Sequence, residues 1–363
     1  MILPNTDKRH ACLTLLMRGL FQTTVLLTTV LFSVNGSSAV ILQYHHVSDS
    51  TPRSTSLNVN EFTAHLEWLE RNHFTVIPLP ELIYRIKTKQ LTPEERLVSI
   101  TFDDTGKSVC TNAAPLLVDR QWPFSVFINT GIMTNSSMSQ CSWTELKKLQ
   151  NTGLLHIGNH SHSHLHMTAD GATKDIGLWQ EQMRKEVISA EQIIEKNLGV
   201  RPRIFAYPYG EFDQQLQKIV ENLGYSAVGQ HSGAVGNNSE LGALPRFPLS
   251  GVYADIRFLA DKLLSVPFPL LKDKIEHYRS SLVPIKKAPI NKAPLLTLIL
   301  SEPIKSRVQC FLGNGQPIDT VQTEERISAQ SQTELIPGRN RYNCTAISPH
   351  NGRFYWYSRQ WIQ

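Results

Sequence analysis

Two short segments hold residue types that do chemistry, at spacings that let them act together. In the first, Ile100-Thr101-Phe102-Asp103-Asp104, an apolar run ends in two adjacent carboxylates. At the C-terminal end of a strand, where βα loops assemble barrel active sites, one carboxylate can bind a metal while its neighbour takes a proton. The same pair would otherwise cap a helix or close a turn. The second segment, Gly158-Asn159-His160-Ser161-His162-Ser163-His164, is preceded by His156 and followed by His166, giving five histidines within eleven residues. Packing does not account for so dense a cluster. Imidazoles four apart, as His160 and His164 are, suit one divalent cation, and histidine with an Asp carboxylate is a donor set for zinc or a similar first-row metal.

Two weaker segments accompany them. Ile204-Phe205-Ala206 runs into Tyr207-Pro208-Tyr209-Gly210, a turn that can offer a backbone N–H and an aromatic wall to a ligand. Leu42-Gln43-Tyr44-His45-His46 ends an apolar run in an imidazole, which read alone is an ordinary loop histidine.

Bringing these segments to one place requires elements that end together. From Val40 to about Leu264 short apolar runs alternate with helical patterns, the rhythm of β-α units around a mostly parallel sheet or barrel. Strands are expected at 40–44, 74–77, 97–102, 124–128, 155–157, 204–206 and 226–228. Phe62, Leu66 and Leu69 mark a helix after an Asn60 cap, and Ser142-Trp143-Thr144-Glu145 has the form of a capping box. A longer helix is expected over 178–197, ended by Gly199, and a closing one over 254–264. A Pro/Lys-rich stretch, 267–294, reads as a linker around a short helix. Beyond it 295–300, 307–312 and 353–361 are strand-like, predicting a small β-rich, sandwich-like domain over 295–363. In Phe354-Tyr355-Trp356-Tyr357 and Trp361 the alternation reads first as sandwich core and second as a sugar-stacking surface.

The N-terminus carries Lys8, Arg9 and Arg18, an uncharged run from Gly19 to Val34, then Ser37-Ser38-Ala39. This is the form of a secretory signal peptide over 1–39, cleaved before Val40. The alternative is a leader retained as a membrane anchor, although the run is shorter than the ~20 residues of a spanning helix. Secretion or a periplasmic location follows, and with it an oxidising compartment for Cys110, Cys141, Cys310 and Cys344. Pairing 110 with 141 and 310 with 344 respects the domain split, among three possible connectivities. The remaining composition is ordinary: 363 residues, 41% hydrophobic, 18% charged and +5 net, which excludes disorder and fibrous folds. No Lys/Arg cluster interleaves with aromatics, so nucleic acid is not an expected partner.

Together and in this order, the segments resemble the NodB-homology polysaccharide deacetylases of carbohydrate esterase family 4. The resemblance spans roughly Val40 to Leu264. Thr101-Phe102-Asp103-Asp104 matches the TFDD motif, and His160-Ser161-His162-Ser163-His164 the H-[S/T]-x-x-H motif. It implies a distorted (β/α) barrel of about seven repeats acting on an acetylated polysaccharide. Asp103 would be the base, and Asp104, His160 and His164 the ligands of one divalent metal, zinc with cobalt or nickel as alternatives. Tyr209, with Tyr207 and Pro208, would line the substrate and oxyanion position. Two family features are missing: Ala206 stands where an arginine usually orients the base, and the late Leu-x-His motif has no match. The poly-N-acetylglucosamine branch is similar on both counts, reading FAYPYG and taking its acid histidine from an early YH segment. His45 is therefore the expected general acid, with His46 as rival, and Arg246 in Leu244-Pro245-Arg246-Phe247-Pro248 is the candidate base-orienting charge or else a structural ion pair. An O-acetyl esterase using the same site and a weakly active carbohydrate-binding or assembly protein are the other readings.

Overall fold

The computed structural model describes residues 37–133, 139–169, 175–276, 293–333, 335–349 and 352–362. Its first half is built from seven parallel strands: β1 (Ala39–Tyr44), β2 (Leu97–Asp103), β3 (Phe124–Ile128), β4 (Leu155–Asn159), β5 (Ile204–Ala206), β6 (Ser226–Val228) and β7 (Phe247–Pro248). They are ordered β7-β1-β2-β3-β4-β5-β6. Val228 also bridges in parallel to Leu244, just ahead of β7, so the sheet curls back toward its own first edge. A short strand at Thr75–Val76 adds to the start of β2. Parallel strands covered on both faces are near-continuous apolar runs. Every residue of β1 and β2 is buried, including Gln43, Thr101 and Asp103, polar intrusions that point to a site. β7, two residues long, is too short to leave a periodic signal and was not expected.

Helices pack outside. α1 (Val59–Arg71) begins at Asn58 rather than at an Asn60 cap: Asn58 accepts the Glu61 N–H and Glu61 returns the bond, a reciprocal box two residues earlier. α2 (Trp143–Gln150) starts with the expected Ser142/Glu145 box. α3 (Ile176–Leu198) ends at Gly199 with φ 74°. α4 (Gln214–Asn222) follows the Pro208–Gly210 turn. The single closing helix expected over 254–264 is instead two 3₁₀ turns, Gly251–Ala254 and Ile256–Phe258, then a short α-helix Leu259–Leu263. Extended Asp255 breaks it, and its side chain caps the second turn by accepting the Arg257 N–H.

The second half is a separate antiparallel sheet: β8 (Leu270–Glu276), β9 (Leu295–Leu300), β10 (Gln309–Leu312), β11 (Pro317–Gln322), β12 (Arg326–Gln330), β13 (Arg339–Ile347) and β14 (Phe354–Ile362). The order is β8-β9-β12-β11-β10-β13-β14, one hydrogen-bonded path of seven strands. The expected linker is corrected in part, because 270–276 pairs with β9; residues 277–292 of it, with any short helix there, lie outside the described residues. β11, β12 and β13 were missed, since strands with one solvated face carry few apolar residues. The terminal aromatics are packed: Tyr355 and Trp361 are buried, Trp356 meets Phe247 of the barrel edge-on at 5.1 Å, and Tyr357 donates to Asp273 at 2.7 Å.

Cys110 pairs with Cys141 and Cys310 with Cys344, the latter across β10 and β13. Each closes a loop of some thirty residues, worth roughly 4 kcal/mol of unfolded-state entropy. Of the expected leader, residues 1–36 lie outside the described residues. Ser38 and Ala39 belong to the fold: both are buried, and Ala39 exchanges two 2.9 Å backbone bonds with Val235. No helix among the described residues is long and apolar enough to cross a membrane.

Candidate active site

All four sequence segments end at the same mouth of the barrel, because parallel strands place their C-terminal ends together. β2 delivers Asp103 as its last residue. Asp104 and Thr105 then take positive φ, 68° and 51°, a left-handed turn that non-glycine residues adopt at some cost. This turn sends the two neighbouring carboxylates to different tasks.

Asp103 is fully buried and held on three sides. Arg246 donates from Nη1 to Oδ1 at 2.8 Å and from Nη2 to Oδ2 at 2.7 Å, and Gln43 Nε2 donates to Oδ2 at 2.6 Å. The guanidinium is anchored in turn by the Gly229 carbonyl at 2.7 Å and Thr101 Oγ1 at 3.2 Å, and lies over the Phe127 ring. Burial alone would raise the carboxyl, but Arg246 and His160 hold it well below the usual carboxylate range. Arg246 orients it from a residue just before β7, a different place in the chain from the usual arginine.

Asp104, His160 and His164 converge. Asp104 Oδ1 lies 3.5 Å from His160 Nε2 and 3.4 Å from His164 Nε2, and the two Nε2 atoms are 3.2 Å apart. His160 Nδ1 donates to the Ala206 carbonyl at 2.7 Å, which leaves the Nε2 lone pair facing the other two groups. Two imidazole nitrogens and a carboxylate oxygen at this separation suit one cation, the donor set of a first-row metal. Burial and the neighbouring His160 lower the His164 imidazole, keeping it in the neutral form that ligates.

The loop that carries the histidines is shaped by a residue that sequence reasoning missed. Glu186 of α3 accepts the N–H groups of His162 at 3.2 Å and Ser163 at 2.7 Å, and Ser161 Oγ accepts the His164 N–H at 3.1 Å. His162 is turned aside to Thr130 Oγ1, and His166 pairs with Glu211 at 2.7 Å, so neither joins the three. Gln43 was missed as well. Its signal was legible as a single amide within the apolar run Val40–Tyr44.

The Pro208–Gly210 turn closes one side. Tyr209 sits at φ 56°, 39% exposed, its ring 4.5 Å from that of His164 and stacked on His166 at 4.1 Å. Tyr207 and Pro208 are buried instead. The Tyr207 hydroxyl donates to the Gly242 carbonyl and its ring packs on Phe205 and Phe212, so it supports the turn from the core rather than facing a ligand. His45 follows β1. Burial lowers its imidazole while Asp103 and Asp104 pull it back up, so both carboxylates act on it. His46 packs against Gly106: a Cβ there would sit 2.4 Å from His46 Nδ1, so only glycine fits beneath the ring.

The mouth of the curled parallel sheet thus carries an Asp-His-His cluster beside a buried, arginine-held aspartate. The polysaccharide deacetylase family model matches residues 90–228. The poly-beta-1,6-N-acetyl-D-glucosamine N-deacetylase of Staphylococcus aureus (strain MRSA252) is 25% identical over 232 residues, covering 59% of this chain and 79% of that one. Its counterpart in Staphylococcus epidermidis is 27% identical over 206 residues, covering 52% and 70%. Among solved structures, IcaB from Ammonifex degensii superposes with a TM-score of 0.52 at 24% identity, over 60% of this chain and 97% of that one. The Streptococcus pyogenes deacetylase PplD gives 0.53 at 19% identity, over 60% and 94%. Both share the barrel fold.

Proposed function

We propose that the chain is a secreted, metal-dependent N-deacetylase acting on a polymer of N-acetylglucosamine. The observation that carries this reading is the pairing of a buried, arginine-held aspartate with an Asp104–His160–His164 cluster one residue away in sequence. The named activity of the staphylococcal relatives supports the substrate. The disulfides and leader-like N-terminus support export.

Asp104, His160 and His164 would hold one divalent cation, zinc first and cobalt or nickel also compatible. Such an ion polarises the acetyl carbonyl and acidifies a water toward neutral pH. The protein groups do the rest. Asp103, fixed as an anion, takes a proton from the attacking water. The Tyr209 N–H donates to the carbonyl oxygen as it gains charge. His45 gives a proton to the departing nitrogen, without which an amine is a poor leaving group.

Acetate release from a short N-acetylglucosamine oligomer, with metal content measured on the same sample and a chelated control, tests the reading. Chelator-sensitive release with free amine as the other product is expected. A metal-loaded protein that frees no acetate, or that frees it only from O-acetyl esters, sinks the N-deacetylase assignment.

A further inference from the structure

The Pro208–Gly210 turn belongs to the barrel, yet its far end is fixed by the C-terminal sheet. Within the turn, the Gly210 N–H bonds the Tyr207 carbonyl at 2.8 Å and the Glu211 N–H the Pro208 carbonyl at 3.0 Å, contacts that shape it without locating it. Its start is located by the Tyr207 N–H on the Val228 carbonyl of β6. Its end is located by two side chains from far along the chain: Arg339 Nη1, at the head of β13, donates to the Tyr209 carbonyl, and Gln360 Nε2, on β14, donates to the Gly210 carbonyl. β13 and β14 are neighbours, with Arg341 opposite Gln360, so the two donors reach the turn from one rigid ladder.

The consequence falls on Tyr209. Its φ of 56° is one that a tyrosine leaves readily unless its flanking peptides are held. The ring is held against His164 and His166, and the carbonyl is held by Arg339. Gly210, at φ 67°, has no room for a side chain, since a Cβ built there would sit 2.4 Å from Gln230 Cβ. Both donors lie outside the segment that matches the polysaccharide deacetylase family, 90–228.

We infer that Arg339 and Gln360 are positioning residues that lock the Pro208–Gly210 turn so that the Tyr209 N–H is aimed at the oxygen gaining charge. This rests on the deacetylase reading for the role of that N–H. The C-terminal sheet is then a structural part of the active site rather than an appended module. Its contribution is to transition-state geometry, where small misplacements cost rate more than affinity.

The test uses the full chain with Arg339→Ala, Gln360→Ala, Arg339→Lys and, as a control exposed on the same sheet, Val321→Ser. Two readouts are taken: kcat and KM for acetate release from the oligomer, and amide hydrogen exchange in the peptide spanning 207–211. Each alanine variant is expected to lower kcat about tenfold with KM and bound metal unchanged, and to speed exchange in that peptide. Arg339→Lys should restore most of both, and Val321→Ser should move neither. Alanine variants that match an active wild type in kcat and in exchange overturn the positioning role. Variants that lose metal or change KM alone overturn it too, since the residues would then serve folding or substrate binding. A wild type that frees no acetate is a separate result that removes the deacetylase reading itself.

Discussion

Arg246 grips Asp103 with both terminal nitrogens, at 2.8 and 2.7 Å, across 143 residues of sequence and with neither side chain exposed. A buried pair of this kind is weak evidence for stability but strongly destabilising to break, because the remaining charge is stranded.

Replacing the guanidinium should therefore move both stability and the pH profile. Arg246→Met is expected to cost about 3–5 kcal/mol, read by denaturant unfolding. Arg246 and His160 are what hold the Asp103 carboxyl down against burial, so removing one of them raises it. The acid limb of kcat/KM should then shift to higher pH, with activity lost on acidification at a pH where the wild type still works. An unshifted acid limb would mean that Arg246 does not set the charge state of Asp103.

His45 and His46 can be separated by the same assay. His45, within the influence of both carboxylates, should lose about 100-fold or more in kcat as His45→Ala, the ordinary cost of removing a general acid. His46→Asn, altering a ring that rests on Gly106, should cost far less. The reverse ranking would reassign the acid.

Acid stability reports on a different histidine. His65 of α1 donates from Nε2 to the Ala254 carbonyl at 2.7 Å and meets the Tyr44 hydroxyl at Nδ1, 3.2 Å away, a fully used neutral ring. Burial lowers its pKa to about 4. Below the ordinary value of 6.5 the unfolded chain takes up a proton that the folded one refuses, so stability falls as pH drops from 6.5 toward 4. The loss is about 3 kcal/mol at the lower end. His231, lowered to about 3 by burial, acts in the same direction. Thermal unfolding at pH 7 and 4.5 should show the drop, and His65→Gln should be less stable at neutral pH but lose less on acidification. Equal slopes in the two proteins would rule His65 out.

If the chain is exported as proposed, its mature start is a further check. Cleavage before Val40 would remove Ala39 from its two bonds with Val235 and Ser38 from its bond with Arg353. Mass mapping of the secreted protein is expected to find both residues retained. A mature chain beginning at Val40 would show that the fold does without them.

Sequence was informative where the signal is local. β1, β2 and β3 are continuous apolar runs of buried residues, and the Ser142/Glu145 box closes within four residues, so both could be read directly. The Asp103–Asp104 and His160–His164 segments were equally plain, and the structure brings them together. What was hidden depends on distance or on solvent. Gln43, Glu186, Arg339 and Gln360 look like ordinary polar residues until the strands and helices that carry them are assembled. β11, β12 and β13 turn one polar face outward, and the apolar pattern thins to a few positions. Tyr207 misled for a related reason: being next to Tyr209 in sequence does not place it on the same side of the turn, and its ring belongs to the core.

β14 runs from barrel to sheet like a final stitch. Phe354 and Trp356 exchange backbone bonds with Val266, Trp356 wedges against Phe247, and Gln360 reaches the turn 150 residues behind it. In a chain synthesised from its N-terminus, Asp104, His160 and His164 emerge long before the strand that completes their surroundings. The barrel mouth is therefore finished late, with the cluster in place while the turn beside it is still untied. A chain cut short before β14 would keep the whole cluster and leave the turn unfastened at Gly210.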